Sequence, residues 1–177
     1  MHNRGFTLVE LLIGIVILSI LLLLALPSYR EFMTNTRIRN IADSLAQGVR
    51  LAQVEAIKRN ENVTFEIDGS PATGWTIRDA AATAVHTEVF SDAAGQIVVD
   101  PRPAGADKLT YSGIGQYIPN NNPDDGSAVI TSIRVTSTLA SPHDLRVATD
   151  PALGVGVRVC DKRFAPTDPI GCPAGLP

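Results

Sequence analysis

One acid stands alone in a long apolar run. In "RGFTLVELLIGIVILSI", which begins at Arg4, Glu10 is the single charge between Phe6 and Leu26. An ionised carboxylate inside a bilayer costs about 3 kcal/mol and is ordinarily paired or functional, so Glu10 demands a neutralising partner. The other residues suited to chemistry are Cys160 and Cys172, the only two cysteines in the chain. In an exported domain an even pair reads as a disulfide, with two buried free thiols as the alternative. A zinc site would need further Cys or nearby His ligands, which the sequence does not offer. A disulfide here closes a short loop and contributes about 3 kcal/mol, enough to hold a tail, "PAGLP", that cannot form regular structure. The three histidines, His2, His86 and His143, fall in no ligand or triad pattern, and Ser28 and Ser141 lie in no nucleophile motif. "NPDDG" lacks the spaced acids and final Glu of a calcium loop and reads as a turn. No enzyme activity, metal or cofactor is expected.

The elements that must position Glu10 and the cysteines differ sharply along the 177 residues. Phe6 to Leu26 is enough helix to cross roughly 30 Å of hydrocarbon. A cleaved secretory signal would have a shorter apolar region and would give way to a loop or strand. Here a helical pattern continues, so the segment reads as retained. Arg4 with the amino terminus precedes it, and Arg30, Arg37 and Arg39 follow, which leaves the positive-inside rule nearly undecided. The cysteine pair points to an exported carboxy-terminal part. Charge divides as well. Residues 1–60 hold seven Lys or Arg against four Asp or Glu, and the remainder holds eight against fourteen. A uniformly basic nucleic-acid face is excluded, although a local patch is not.

After Pro27, Phe32, Ile38, Ile41, Ala42, Leu45, Val49, Ala52, Ala56 and Ile57 recur at steps of three, four and seven, as one face of an amphipathic helix. Arg37, Arg39, Asp43, Gln47, Arg50 and Lys58 form its polar face, and Glu55 and Arg59 are spaced for an ion pair. One helix, kinked or loosened near Pro27, therefore runs from about Phe6 to Arg59. From Asn62 the period becomes two: "VTFEI", "GWTIR", "HTEVF", "QIVVD", "KLTYSG", "SIRVTS", "DLRVA" and "GVGVRVC" read as short strands between Gly, Pro, Asn and Asp clusters. "IPNNNPDDGS" reads as a polar loop. The expected architecture is α+β, a long amino-terminal helix packed on one or two antiparallel sheets.

"RGFTLVELL" resembles the class III signal of type IV pilins and pseudopilins: a short basic leader ending in Gly5, then Phe6, then Glu10 within an apolar helix. The resemblance implies cleavage by prepilin peptidase between Gly5 and Phe6, methylation of the Phe6 amine, and assembly of the helices into a filament core. It also implies that Glu10 pairs with the amino-terminal charge of a neighbouring subunit, which fixes axial register. "LAQVEAIKRNENVTFEI", "GWTI" and the "VRVC" strand with its cysteine pair resemble the FimT, FimU and GspH group of minor pilins. The domains implied are a leader, 1–5; a transmembrane helix, 6–26; an amphipathic helix, 27–60; and an antiparallel β domain, 61–177, with a carboxy-terminal disulfide loop.

The function this resemblance implies is a minor pilin of a type IV pilus, stored in the bacterial inner membrane as a single-pass protein with a periplasmic carboxy-terminal domain, then incorporated in an initiation or tip complex. Its partners would be other minor and major pilins, prepilin peptidase, the inner-membrane assembly platform and the lipid bilayer. Alternatives are a GspH-like pseudopilin of type II secretion and a DNA-binding minor pilin for DNA uptake. Some FimT-like proteins carry Gly-Arg-x-Arg before the final strand's Cys. This chain keeps only the last Arg, Arg158, with Gly156 in place of the first. Arg158, Lys162, Arg163 and Arg146 are the candidate DNA contacts, with Asp150, Asp161 and Asp168 nearby.

Overall fold

The computed structural model describes residues 7–69, 71–90, 96–118, 128–138, 143–149 and 156–176. Helix α1, Leu8–Arg59, spans 52 residues, about 80 Å at 1.5 Å per residue. Thr7 caps its start, its hydroxyl accepting from the Glu10 N–H at 3.2 Å. Asn60 ends it in the left-handed conformation, φ 54°, with its N–H directed at the Ala56 and Ile57 carbonyls. α1 runs through Pro27 as one helix, the continuity that the sequence led one to expect. Proline deletes one intrahelical donor, and the helical bonds on either side carry the element past it.

Among the described residues nine strands follow: β1 (Val63–Asp68), β2 (Gly74–Arg78), β3 (Ala84–Val89), β4 (Ile97–Arg102), β5 (Lys108–Tyr111), β6 (Tyr117–Ile118), β7 (Ser132–Ser137), β8 (Leu145–Ala148) and β9 (Arg158–Asp161). They form a five-stranded sheet in the order β3-β2-β1-β5-β6 and a four-stranded sheet in the order β4-β7-β8-β9. All strand pairs are antiparallel. Two isolated parallel bridges, Lys108 with Val129 and Asp161 with Gly171, tie in flanking segments. Eight strands match the expected segments to within a few residues. β6 was not expected, because two residues carry no period. It forms where the Ser112–Gln116 turn folds the chain back, Ser112 N–H donating to Gln116 O at 2.7 Å. The polar loop expected over "IPNNNPDDGS" lies, from residue 119 onward, outside the described residues.

Alternation in β1 divides its side chains between two environments. Val63, Phe65 and Ile67 are buried, whereas Thr64, Glu66 and Asp68 face outward. On that outer face Thr64 and Thr110 share a hydroxyl hydrogen bond of 2.7 Å, and Glu66 pairs with Arg78 at 2.8 Å. The buried side meets the second half of α1. Ile38, Leu45, Val49, Ala52 and Ala56 pack with Phe65, Ile77 and Leu109 of the first sheet and with Ile133, Val135 and Val147 of the second. One helix thus covers both sheets.

The buried stripe differs from the expected face at its ends. Phe32 is 66% exposed and Ile57 53% exposed, while Thr34, Ala46 and Gly48 are buried. At about 100° per residue, Phe32 lies roughly 120° around the helix from Ile38, and Ile57 about 100° from Ala56. Helical spacing identified the stripe, and contact with two sheets set its width. At Gly48 the helix and the first sheet approach closely. A β-carbon there would stand 2.8 Å from both the Phe65 ring and the Trp75 ring. One turn earlier, Ser44 Oγ accepts from Trp75 Nε1 at 3.1 Å, so the indole is both packed and hydrogen-bonded.

In an exposed helix, replacing Gly by Ala stabilises by up to about 1 kcal/mol. At Gly48 we predict the reverse: Gly48→Ala forces the two rings apart and lowers stability by about 1–2 kcal/mol. Thermal unfolding followed by circular dichroism tests this, and a midpoint at or above that of the wild type would exclude the close packing described.

Candidate functional site

The residues that the sequence marks for function fall at the two ends of the chain. At the amino-terminal end, Leu8 to Leu26 projects from the domain with every residue exposed. α1 is the one described helix long and apolar enough to cross a membrane, and none of its most apolar stretch is buried within the chain. Ser19 is accommodated there because its hydroxyl donates to the Ile15 carbonyl at 2.8 Å, which satisfies it without a second chain. Glu10 sits in the first turn, where the helix dipole favours a negative charge. Among the described residues no cation pairs with it. Gly5 and Phe6, the expected processing residues, lie outside the described residues.

At the other end, Cys160 of β9 is bonded to Cys172, with Cα atoms 4.9 Å apart. Both are buried, and with Ala148 and Leu176 they form a second small apolar cluster. The disulfide alternative is therefore the one realised, and Leu176 brings the proline-flanked tail back onto the domain. The enclosed loop is tightly turned: Asp161 N–H donates to Ile170 O at 2.8 Å, and Gly171 N–H donates to Asp168 O at 3.0 Å. Gly171 passes so close to the Ala165 carbonyl that a β-carbon would collide with it, so this position requires glycine.

The four candidate DNA-contacting cations do come together around the β8–β9 hairpin, where Arg146 is the cross-strand partner of Cys160 and Arg158 that of Ala148. Arg146 and Arg158 turn their charged groups inward. Arg146 is buried, 7% exposed, with Asp144 3.9 Å away. Arg158 Nη2 donates to the Gly171 carbonyl, inside the disulfide loop. Arg163 closes over Asp161 with contacts of 2.6 and 3.0 Å, and its Nη2 also meets His143 Nδ1 at 2.9 Å. Hydrogen bonding from Arg163 outweighs burial and holds the Asp161 carboxyl below its usual range, while the guanidinium is raised in turn. Lys162 and Arg163 are the exposed members of the four. A guanidinium already bonded to an internal acceptor has fewer donors left for a phosphate. Asp150, named beside this patch, lies outside the described residues.

Several positioning residues carried no sequence signal. Arg50, read as solvated, donates from Nη2 to the Val157 carbonyl at 2.6 Å and so ties α1 to the start of β9. The Asn35 side chain accepts from the His143 N–H at 3.4 Å. These pairs are 107 and 108 residues apart, and no local pattern encodes them. The tie between Asp161 and Arg163, two residues apart, was legible in principle. Between α1 and the disulfide loop lies an open groove of about 500 Å³ that includes Phe32, Arg39, His143, Phe164 and Ile170.

Residues 1–26 match the family described as the prokaryotic N-terminal methylation motif, and residues 42–152 match the type II transport protein GspH. The chain is similar to Fimbrial protein Q of Moraxella bovis, 33% identical over 91 residues, covering 48% of this chain and 58% of that protein. It is also similar to the type IV major fimbrial protein FimA of Dichelobacter nodosus, 31% identical over 72 residues, covering 41% of this chain and 42% of that one. The chain thus spans about half the length of the curated relatives it matches. Among solved structures it resembles the type IV minor pilin FimU of Pseudomonas aeruginosa, with a TM-score of 0.51 and 14% identity over 77% of this chain and 98% of that one. At that identity the likeness is one of fold: the long amino-terminal helix on antiparallel sheet.

The depressed pKa of Asp161 makes its bond to Arg163 pH-dependent. Its contribution is complete above the unfolded value near 3.8 and is lost as pH falls through the lower folded value. Arg163 is half exposed, so screening limits the effect to about 1 kcal/mol or less. Asp161→Asn is expected to lower the unfolding midpoint at pH 7, with the gap to wild type closing below pH 3.8. A gap of unchanged size down to about pH 2.5 would rule out this linkage.

Proposed function

This chain belongs to the type II transport protein GspH family, and we propose that it serves as a minor pilin of a type IV pilus. In this reading residues 1–5 are a leader removed between Gly5 and Phe6 by prepilin peptidase, and the new Phe6 amine is methylated. Residues 6–26 hold the chain in the inner membrane. Residues 27–60 continue as the helix that packs on the domain, and 61–177 form a periplasmic domain. The protein then enters the initiation or tip complex with other pilins.

The observation that carries this reading is the projecting half of α1. From Leu8 to Leu26 every residue is exposed and none is buried by the rest of the described chain, so these side chains must be covered by lipid, by other helices, or by each in turn. Leaving a bilayer for water would expose this entire surface at about 25 cal/mol per Å². Transfer into a bundle of similar helices does not. Glu10 gives that transfer a preferred stagger: a carboxylate and a neighbour's amine, each costly alone in a low-dielectric core, become one neutral pair. The methylation motif over residues 1–26 supports the same processing.

A second reading, a minor pseudopilin of type II secretion, is favoured by the family match over residues 42–152. Deletion of the chain separates the two. Loss of piliation with normal protein secretion supports the pilus role, and the opposite result supports the secretion role.

Two substitutions test processing and register separately. Gly5→Ala is expected to accumulate as uncleaved precursor, seen as a mass larger by the five-residue leader and smaller by one methyl. Normal cleavage of this variant would eliminate the proposed processing. Glu10→Ala should be cleaved as wild type yet recover at least about tenfold less of the other pilins on co-purification, because the neighbour's buried amine is left unpaired at about 3 kcal/mol. Glu10→Asp, with shorter reach, should fall between. Undiminished recovery with Glu10→Ala would defeat the charge-pair argument.

A further inference from the structure

Two sheets have four outer edges, and the fold treats three of them alike. β6 is only two residues long. β4 contains Pro101, which has no N–H to offer. β9 is short, and its end is bridged from Asp161 to Gly171 in the disulfide loop. Short strands, proline and covering loops are the usual means of preventing edge-to-edge association. β3 has none of them. It is six residues long, contains neither Pro nor Lys, and is exposed from His86 through Val89, the last being 71% exposed.

Its backbone is oriented for pairing. Phe90 N–H donates to the Thr73 carbonyl at 2.9 Å, so by strand alternation Glu88 and His86 turn their backbone groups toward β2. Thr87 and Val89 then turn theirs outward. Among the described residues nothing pairs with that edge. An irregularity opposite Ile77 and Arg78 ends the regular ladder at His86. The usable edge is therefore His86–Thr87–Glu88–Val89.

We propose that this edge binds a second copy of the chain, the two β3 strands pairing antiparallel about a two-fold axis at Thr87. The side-chain order is self-complementary in that register. With Thr87 opposite Thr87 of the second copy, His86 lies opposite Glu88 of the second copy, and the symmetry repeats the pair. Both His–Glu pairs occupy the non-hydrogen-bonded positions, where cross-strand side chains are closest. Thr87 supplies the reciprocal backbone hydrogen bonds at the centre. Centring instead on Glu88 opposes two carboxylates, and centring on His86 opposes two imidazoles, so charge selects one register among the neighbours. His86 is already held at the edge by stacking on Trp75, with ring centroids 5.8 Å apart and planes at 24°. This pairing is independent of the pilus role, because leader cleavage and pilin recovery are measured separately from it.

The test is self-association of the full chain in detergent, by sedimentation velocity. Wild type is expected to dimerise reversibly. Glu88→Lys, which sets Lys against His twice, should weaken the dimer about tenfold. The double variant His86→Glu with Glu88→Lys restores both pairs with polarity reversed and should recover the dimer. Thr87→Cys should cross-link between copies on mild oxidation, whereas Thr138→Cys, exposed on the other sheet, should not. The proposal is overturned if wild type stays monomeric up to about 100 μM or if Glu88→Lys dimerises as tightly as wild type, which would assign association to the apolar helix. It is equally overturned if the double variant folds but does not recover the dimer, or if Thr87→Cys links only to a different pilin.

Discussion

A single unbroken helix has to be stable in two different surroundings, and the rest of the molecule follows from that constraint. The first half of α1 is apolar around its whole circumference and is left exposed by the described residues. The second half is apolar along one stripe and is the common cover for both sheets. Neither sheet could bury its inner face without it, since no second helix exists among the described residues. The junction carries the change of surroundings within one helix, although Pro27 removes one intrahelical donor.

Close approach of the helix to the first sheet depends on small local features. Gly48 leaves room for Phe65 and Trp75, and Ser44 receives the indole N–H. Arg50 and Asn35 do the corresponding work toward the second sheet, through polar ties to Val157 and His143. Apolar burial is non-directional and permits several ways of seating a helix on a sheet. These hydrogen bonds and the missing β-carbon at Gly48 exclude most of them.

The disulfide loop is organised by a different balance. Its apolar cluster is small, so covalent closure and charge pairing hold what packing alone would leave loose. Arg158 and Arg163 serve that purpose, the first on a loop carbonyl and the second on Asp161. The same cations that a sequence reader would offer to a phosphate are thereby engaged in structure. Their placement gives the region a locally balanced charge, with the acids among the bases.

Much of this architecture was readable without coordinates. The apolar run with its lone acid, the helical spacing through Ala56, the change to period two and the cysteine pair each reflect a local rule of hydrophobic periodicity or covalent reach, which sequence states directly. Strand positions were legible for the same reason, except β6, too short to show a period. What only the tertiary structure decided were matters of pairing at long range. These include which sheet each strand joins, and that Phe32 and Ile57 fall outside the buried stripe while Gly48 lies within it. They also include the burial of Arg146 and, among the described residues, a β3 edge with no strand paired to its outer side. Such features depend on which surfaces meet after the chain has folded back over a hundred residues. No window of sequence contains both partners.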